Sequence, residues 1–262
     1  MLILTGSVLL GLLIGISLGA LGGGGSILTV PALVYVLGES ARAGTTASLV
    51  IVGITALIGA FGHARSSHVR WATGIVFGIT GIAASLVGTV LNRQVDPNVL
   101  LLAFAALMLL AAAGMLRRAT GPSSPDGRET SGDQKGISPA GVAKFIVAGL
   151  VVGFLTGFLG VGGGFIIVPA LVMVLGFTMP VAVGTSLLII ALNSAAALAA
   201  RAGHATFDWS VIIPFTVAAI AGSLLGTRVA NRVSNATLSR AFAGLLILVA
   251  VYTAIRSALS LT

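Results

Sequence analysis

The chain has 262 residues, of which 57% are hydrophobic and only 8% are charged, and it contains no cysteine. A soluble domain carries roughly a quarter of charged residues, so a chain this apolar is expected to have lipid as its solvent. Disulfides and thiol chemistry are excluded. The net charge of +8 indicates basic loops that orient membrane helices, and no aromatic and basic groove for a nucleic acid is seen.

The first half of the chain predicts five helical segments. A long apolar run at 2–20 leads into a glycine cluster, Gly22–Gly25, which we call the first glycine turn. A short apolar run containing Pro31 follows at 27–37, and three longer runs follow at 43–62, 71–91 and 99–116. Continuous runs of this kind are typical of membrane helices and differ from the alternating strands of a membrane barrel.

The second half repeats this order 138 positions later. Between 19–38 and 157–176 there are 13 identities in 20 positions without a gap. The second glycine turn lies at 160–163, and Trp209 matches Trp71. We therefore predict two homologous repeats, 1–116 and 142–262, joined by a disordered linker at 117–141 that is rich in Gly, Pro, Ser and charge.

The run after each glycine turn is too short to cross a membrane. Eleven helical residues reach only about 17 Å, roughly half of a ~30 Å hydrocarbon core. Short segments interrupted by Gly and Pro at matching positions of two halves are the usual sign of a transporter's binding site. The predicted fold is an all-α polytopic membrane protein with eight full transmembrane helices and two short broken or re-entrant helices.

The distribution of Lys and Arg tests two topologies. If the short segments do not count as passes, nine basic residues lie on one side of the membrane and five on the other. If each short segment returns along the helix before it, ten lie on one side and four on the other. The positive-inside rule favours the second division. It predicts inverted repeats, a cytoplasmic linker, both termini outside, and glycine turns that face each other near the midplane.

Glycine also recurs every fourth residue before each turn, at Gly11, Gly15 and Gly19 and again at 149, 153 and 157. Glycines at this spacing form a smooth stripe that lets two helices pack backbone to backbone. The stripes are compatible with packing inside one chain and equally with a homodimer.

The tandem pattern L-G-x-G-G-[GS]-x-[LI]-x-V-P-A-L at Leu21–Leu33 and Leu159–Leu171 resembles the TauE/SafE family of sulfite and organosulfonate exporters. The sequences G-T-T-A-S at Gly44–Ser48 and V-G-T-S at Val183–Ser186 are also similar. The resemblance covers nearly the whole chain outside the linker. It implies a multi-pass permease of a bacterial plasma membrane that moves small sulfur-containing anions or organic acids, and it does not identify the substrate.

The candidate substrate site consists of glycine amides at helix N-termini, which attract anions, with nearby hydroxyls and one amide. All six acids lie in predicted loops or the linker, which argues against a carboxylate relay or a cation path. The alternative is that the glycines serve only helix packing and the hydroxyls bond their own backbones. The predicted residues are Gly22, Gly24, Gly25, Ser26, Thr45, Thr46, Ser48, Gly160, Gly162, Gly163, Gly164, Thr185, Ser186 and Asn193.

No enzyme, metal site or cofactor is predicted. The second glycine turn lacks the Lys-Ser/Thr of a phosphate-binding loop. His63, His68 and His204 sit with arginines at helix ends and are interpreted as interfacial anchors, with proton coupling as the alternative. The predicted function is secondary export of a small anion by alternating access, and the competing function is a membrane scaffold or sensor that transports nothing.

Overall fold

Every regular element in the described part of the chain is a helix. The computed structural model describes residues 2–92, 94–120, 139–159, 164–201 and 207–259. Each predicted apolar run coincides with one observed helix, which confirms the all-α class. The helices are α1 Leu2–Leu21, α2 Gly24–Pro31 with a π-helical continuation Ala32–Val36, α3 Ala41–Ala64, α4 Trp71–Asn92, α5 Pro97–Thr120, α6 Pro139–Leu159, α7 Gly164–Met173, α8 Met179–Ala199, α9 Trp209–Ala230 and α10 Asn235–Leu259.

Six helices are long and apolar enough to cross a membrane: α3, α4, α5, α8, α9 and α10. The helices α1 and α6 contribute shorter apolar segments, Thr5–Leu21 and Ala143–Leu159. Length and composition therefore support six of the eight predicted full spans. Helices α5 and α6 extend into the predicted linker from its two ends, and residues 121–138 between them lie outside the described ranges.

The two halves interlock, so that the main partner of each long helix belongs to the other half. Helix α1 packs most extensively on α9, and its counterpart α6 packs on α4, the counterpart of α9. Helix α3 packs on α8, and α5 packs on α10. Exchanging the two halves leaves this set of contacts unchanged, so the internal repeat of the sequence is also a repeat of the packing.

The glycine stripes form the closest of these interfaces. A Cβ built on Gly15 would overlap the backbone of Ala219 in α9, and a Cβ built on Gly153 would overlap the backbone of Gly81 in α4. Ala219 and Gly81 are themselves 138 positions apart. The packing function predicted for the stripes is confirmed, and it joins helices within one chain.

The first short helix returns along the helix before it. Gly22, with φ +73°, ends α1, and its N–H bonds the carbonyl of Leu18 at 2.8 Å. At one end of α2, a Cβ on Gly25 would lie 2.7 Å from the carbonyl oxygen of Ile14; beyond the other end, Leu37 reaches Gly6. Helix α2 and its π-helical continuation thus run antiparallel to most of α1, as the favoured topology assumes.

Candidate functional site

The first glycine turn meets the start of α7 inside the bundle. A Cβ built on Gly23 would overlap the backbone of Gly164, the first residue of α7, and a Cβ on Gly164 would overlap the hydroxyl of Ser26. The same position on Gly164 lies 3.2 Å from Ile190, a residue at the middle of α8. The contact of the first turn with α7 therefore lies halfway along a membrane-length helix.

Both residues in contact occupy positions of the glycine motif at which the two sequence copies differ. Gly23 corresponds to Val161 and Ser26 corresponds to Gly164 at the repeat offset. A side chain at Gly23 has no room, because the backbone of Gly164 occupies its place. The centre of the site is therefore asymmetric although the packing around it repeats.

Two helix N-termini begin at this contact, because α2 starts at Gly24 and α7 starts at Gly164. The first turn of a helix carries unpaired N–H groups and the positive end of the helix dipole, and both attract anions. The opposite end of α7 is stabilised by Arg118, whose Nη1 donates to the carbonyl of Val172 at 2.6 Å. The positive end of α7 thus points into the bundle, and its negative end is paired with a cation.

Of the predicted hydroxyls, those of Ser26 and Ser186 lie at this contact. Ser26 donates to the carbonyl of Gly23 at 2.7 Å, and a Cβ on Gly22 would lie 2.5 Å from Ser186 Oγ. Ser186 itself donates to the carbonyl of Val183 at 2.8 Å. Each hydroxyl keeps its lone pairs as acceptors and can redirect its proton to a bound anion. Notably, Ser186 follows the second turn in sequence but lies beside the first.

Thr45, Thr46 and Ser48 form a separate group at the start of α3. Thr46 is buried and donates to the carbonyl of Arg42 at 3.0 Å, and Ser48 donates to the carbonyl of Thr45 at 2.8 Å. Arg201, just beyond the end of α8, donates to Thr46 at 3.3 Å. Since 15 residues of helix separate Ser186 from Arg201, this group lies about 22 Å along α8 from the first glycine turn.

The remaining predicted residues are placed as follows. Thr185 is fully buried and accepts a hydrogen bond from the N–H of Arg70 at 3.1 Å. Asn193 lies one to two turns beyond Ser186 on the same face of α8, and its buried Oδ1 has no partner among the described residues. Gly24 and Gly25 pack against Leu245 and Leu18. Gly160, Gly162 and Gly163 fall outside the described residues.

The prediction that His63 is an interfacial anchor is wrong. Its side chain is fully buried, and its Nε2 lies 2.8 Å from the carbonyl oxygen of Gly19 near the end of α1. His68, in the loop after α3, is half-buried; burial lowers the pKa of His68 below its ordinary 6.5, and a hydrogen bond with Asn231 opposes that shift. His204 lies outside the described residues.

Two buried polar residues were missed by the sequence prediction. Thr55 is 1% exposed and Ser223 is 0% exposed, and neither hydroxyl has a hydrogen-bond partner in the described part of the chain. The repeat could have pointed to Thr55, because its counterpart 138 positions later is Asn193, which was predicted as a residue of the substrate site. Nothing in the sequence separated Ser223 from its counterpart Ser85, whose hydroxyl bonds the carbonyl of Ile82 at 2.8 Å.

The arrangement is suited to an uncharged, hydrogen-bond-donating pocket. None of the helices contains an Asp or Glu, and the described residues include no group of three side chains that could hold a metal ion. What the centre offers an anion is backbone N–H groups, two hydroxyls and the positive ends of two short helices.

The family model described as "Sulfite exporter TauE/SafE" matches residues 7–253. The chain belongs to the TauE/SafE family. The resemblance drawn from the tandem glycine motif is thereby confirmed, and the protein is a member of a family of membrane transporters.

Among curated proteins, the chain is similar to a "Probable membrane transporter protein" of Xylella fastidiosa, strain 9a5c, with 35% identity over 95% of this chain and 94% of the relative. It is 26% identical to the "Probable membrane transporter protein YunE" of Bacillus subtilis, over 88% of this chain and 90% of the relative. No solved structure matches the chain significantly. These relatives support membrane transport as the general activity.

Proposed function

We propose that this TauE/SafE protein is a secondary transporter that exports small anions such as sulfite, organosulfonates or related organic acids. The anion binds where the N-termini of α2 and α7 meet, and the two halves expose that point to each side of a bacterial plasma membrane in turn. The observation that carries the proposal is the contact of Gly23 with Gly164 at the middle of α8.

The electrostatics of the site favour an anion over a cation. Helix N-termini supply fixed positive potential without a buried ionised side chain, which would be costly in lipid. A cation would need carboxylate or carbonyl ligands, and the helices contain no carboxylate. Sulfite and sulfonate groups present three oxygens, which suits several converging N–H and O–H donors.

Alternating access follows from an inverted arrangement of the halves. If α2 and α7 are counted as returning passes, each half has five segments, and an odd number places the second half upside down relative to the first. The ten-to-four division of Lys and Arg supports this count. In transporters of this design the substrate lies at the interface between the repeats, near the bilayer midplane.

Export assays in a deletion strain test the proposal. Cells that lack the protein should accumulate the physiological anion, and the restored chain should lower its cellular level; sulfite, taurine, sulfoacetate and small carboxylates form the panel. A scaffold or sensor would leave the cellular levels of all these compounds unchanged, and it would not change their uptake into membrane vesicles.

Ser26 is the best residue with which to probe the site. A valine at Gly25 would collide with the backbone of α1, so lost transport would report misfolding. Ser26→Ala removes one hydroxyl donor and leaves the packing in place. We expect about tenfold weaker anion affinity, the usual cost of one hydrogen bond to a charged ligand, while Ser85→Ala in α4 should leave affinity unchanged.

A further inference from the structure

Four buried polar atoms that have no partner in the described part of the chain lie along α3, from the centre of the bundle to the loop after this helix. They are Thr55 Oγ1, Ser223 Oγ, His63 Nδ1 and His68 Nδ1. Thr55, Gly59 and His63 are spaced by four residues and therefore share one face of α3. Ser223 fills the place left by the missing side chain of Gly59, since a Cβ there would lie 2.7 Å from Ser223 Oγ.

Neighbouring groups in this row are close enough to be joined by one or two water molecules. Each step of four residues along α3 advances about 6 Å, and the rings of His63 and His68 lie 6.2 Å apart between centroids. Buried polar groups in native proteins are paired with protein or with ordered water. A row of waters between these four atoms would connect the middle of the membrane with the loop after α3.

The hydrogen bond of His63 determines which of its nitrogens is basic. A carbonyl oxygen can only accept, so the ring nitrogen 2.8 Å from the carbonyl of Gly19 must carry a proton. In the neutral ring Nε2 is then the donor, and Nδ1 holds the free lone pair. The atom that can take up a proton is therefore Nδ1, which has no hydrogen-bond partner among the described residues.

No acidic group faces this row from the elements packed around it. Helices α1, α4 and α8 carry no ionisable side chain, α9 carries Arg228, and the loop after α3 carries Arg65, His68 and Arg70. The titratable side chain that acts on His63 is His68. A proton on His63 thus has no carboxylate to balance it, and the available counter-charge is an anion at the glycine turn.

We propose that Thr55, Ser223, His63 and His68 form a proton path, and that His63 binds a proton that is carried together with the anion. The inference rests on the proposed function. Gly19, which holds His63, is five residues before the start of α2, and His63 packs on Gly184, six residues before Ile190, so a protonated imidazole lies about 9 Å along α8 from the anion. Opposite charges so close strengthen each other's binding, and by linkage each ligand raises the affinity for the other.

The path belongs to one half of the chain only. The repeat counterpart of His63 is Arg201, which is permanently charged, and the counterpart of Ser223 is Ser85, whose hydroxyl is already bonded. The second half therefore has a fixed cation where the first has a titratable ring. A substitution in the second half, such as Ser85→Ala, can therefore serve as the control for the matching substitution in the first.

The test uses the full chain in proteoliposomes that contain a pH-sensitive dye. The probes are radiolabelled sulfite and isethionate, a sulfonate that stays anionic throughout the pH range used, so that its own protonation cannot mimic coupling. We expect inward isethionate flow through the wild type to acidify the lumen. The half-saturation concentration for anion exchange should fall as the pH falls. His63→Gln should reduce acidification per anion by at least about tenfold, a usual size for ligand coupling, and should make anion exchange independent of pH.

Ser223→Ala supplies a second variant that keeps the buried histidine. It should slow acidification severalfold, whereas Ser85→Ala should behave as the wild type does. Anion movement without proton movement in the wild type, or normal coupling in both His63→Gln and Ser223→Ala, would overturn the proton path and leave the proposed function standing. A wild type that moves neither probe would overturn both.

Discussion

Gly15 and Gly153 occupy the same position in the two halves, and each allows one helix backbone to rest on another. A methyl group on either residue would overlap the backbone of the facing helix, so the helices would have to separate. We expect Gly15→Ala and Gly153→Ala each to lower the free energy of unfolding by about 2 kcal/mol, the usual cost of overpacking. Thermal unfolding in detergent measures this loss.

Gly244 is the control for these two substitutions. It lies in α10 with no heavy atom within 4 Å of a built Cβ, so Gly244→Ala should leave the unfolding midpoint unchanged or raise it slightly. Equal destabilisation by all three substitutions would mean that the stripes have no special packing role.

Asp208 caps the N-terminus of α9 outside the membrane-spanning segment, accepting hydrogen bonds from the backbone N–H of Ser210 at 2.9 Å and from its hydroxyl at 2.5 Å. These bonds hold the pKa of Asp208 below its ordinary 3.8. A carboxyl whose folded pKa is lowered stabilises the fold above its unfolded pKa, and this stabilisation is lost as the pH falls through the folded value. Asp208→Ala should therefore lower the unfolding midpoint at pH 7, and the difference from the wild type should shrink in strong acid.

The substitution Asp208→Asn separates capping from charge, because asparagine also accepts from a helix N–H. Asp208→Asn should have an unfolding midpoint close to that of the wild type at pH 7. The difference between its midpoint and that of Asp208→Ala should not change with pH. A difference between wild type and Asp208→Ala that persists unchanged in strong acid would contradict the role given to the carboxylate.

At the scale of single residues, Ser26 and Ser186 lie beside the first glycine turn, whereas Thr45 and Thr46, which were predicted with them, lie about 22 Å away along α8. The reason is the path of the chain. Helix α2 and its π-helical continuation return along α1 before α3 begins, so the start of α3 lies far from the turn it follows. Local spacing cannot reveal such a return, and it could not show that His63 reaches back to Gly19.

At the scale of elements, the return of α2 along α1 is the feature that decides the topology. The chain has no cysteine, so a pair introduced at Gly6→Cys and Leu37→Cys would be unique. A built Cβ on Gly6 lies 3.3 Å from Leu37, and a short bis-maleimide should join the two residues in membranes. A crosslinked peptide found by mass spectrometry would confirm the return.

The control pair is Gly6→Cys with Ser26→Cys. Ser26 precedes Leu37 by 11 residues, about 16 Å of helix, so this pair should not react with the same short reagent. If α2 ran away from α1 neither pair would react, so failure of the first pair to crosslink would contradict the return of α2 along α1.

The C-terminus of α7 is stabilised by an arginine from α5. Because Arg118 pairs with the carbonyl of Val172, Arg118→Met should leave the C-terminus of α7 without its cation and lower the free energy of unfolding by about 1 kcal/mol. Chemical denaturation in mixed micelles measures the loss, and an unfolding free energy that Arg118→Met leaves unchanged would contradict the role of Arg118.

At the scale of the whole molecule, the repeat in the sequence predicted the helices and their order, and the packing repeats with it. What the sequence could not supply was the interlocking of the halves, because contacts such as α1 with α9 join residues about two hundred positions apart. For the same reason it could not show that Ser186 of the second half faces the first glycine turn.

The inverted arrangement makes a prediction about orientation. If each half has five segments, as proposed, the linker should lie in the cytoplasm and residues 1 and 262 should lie outside. A reporter enzyme that is active only outside the cytoplasm should be active when fused after residue 262 and inactive when inserted at 128. Activity at the linker and none at the C-terminus would contradict the inverted arrangement.

The central claim is that an anion binds where the N-termini of α2 and α7 meet and is carried from there across the membrane. The most direct test is counterflow of radiolabelled sulfite and organosulfonates into proteoliposomes, measured for the wild type, Ser26→Ala and Ser85→Ala. We predict saturable anion exchange by the wild type and a half-saturation concentration about tenfold higher in Ser26→Ala. Ser85→Ala should behave as the wild type does. Absence of exchange by the wild type, or an affinity that Ser26→Ala does not change, would contradict it.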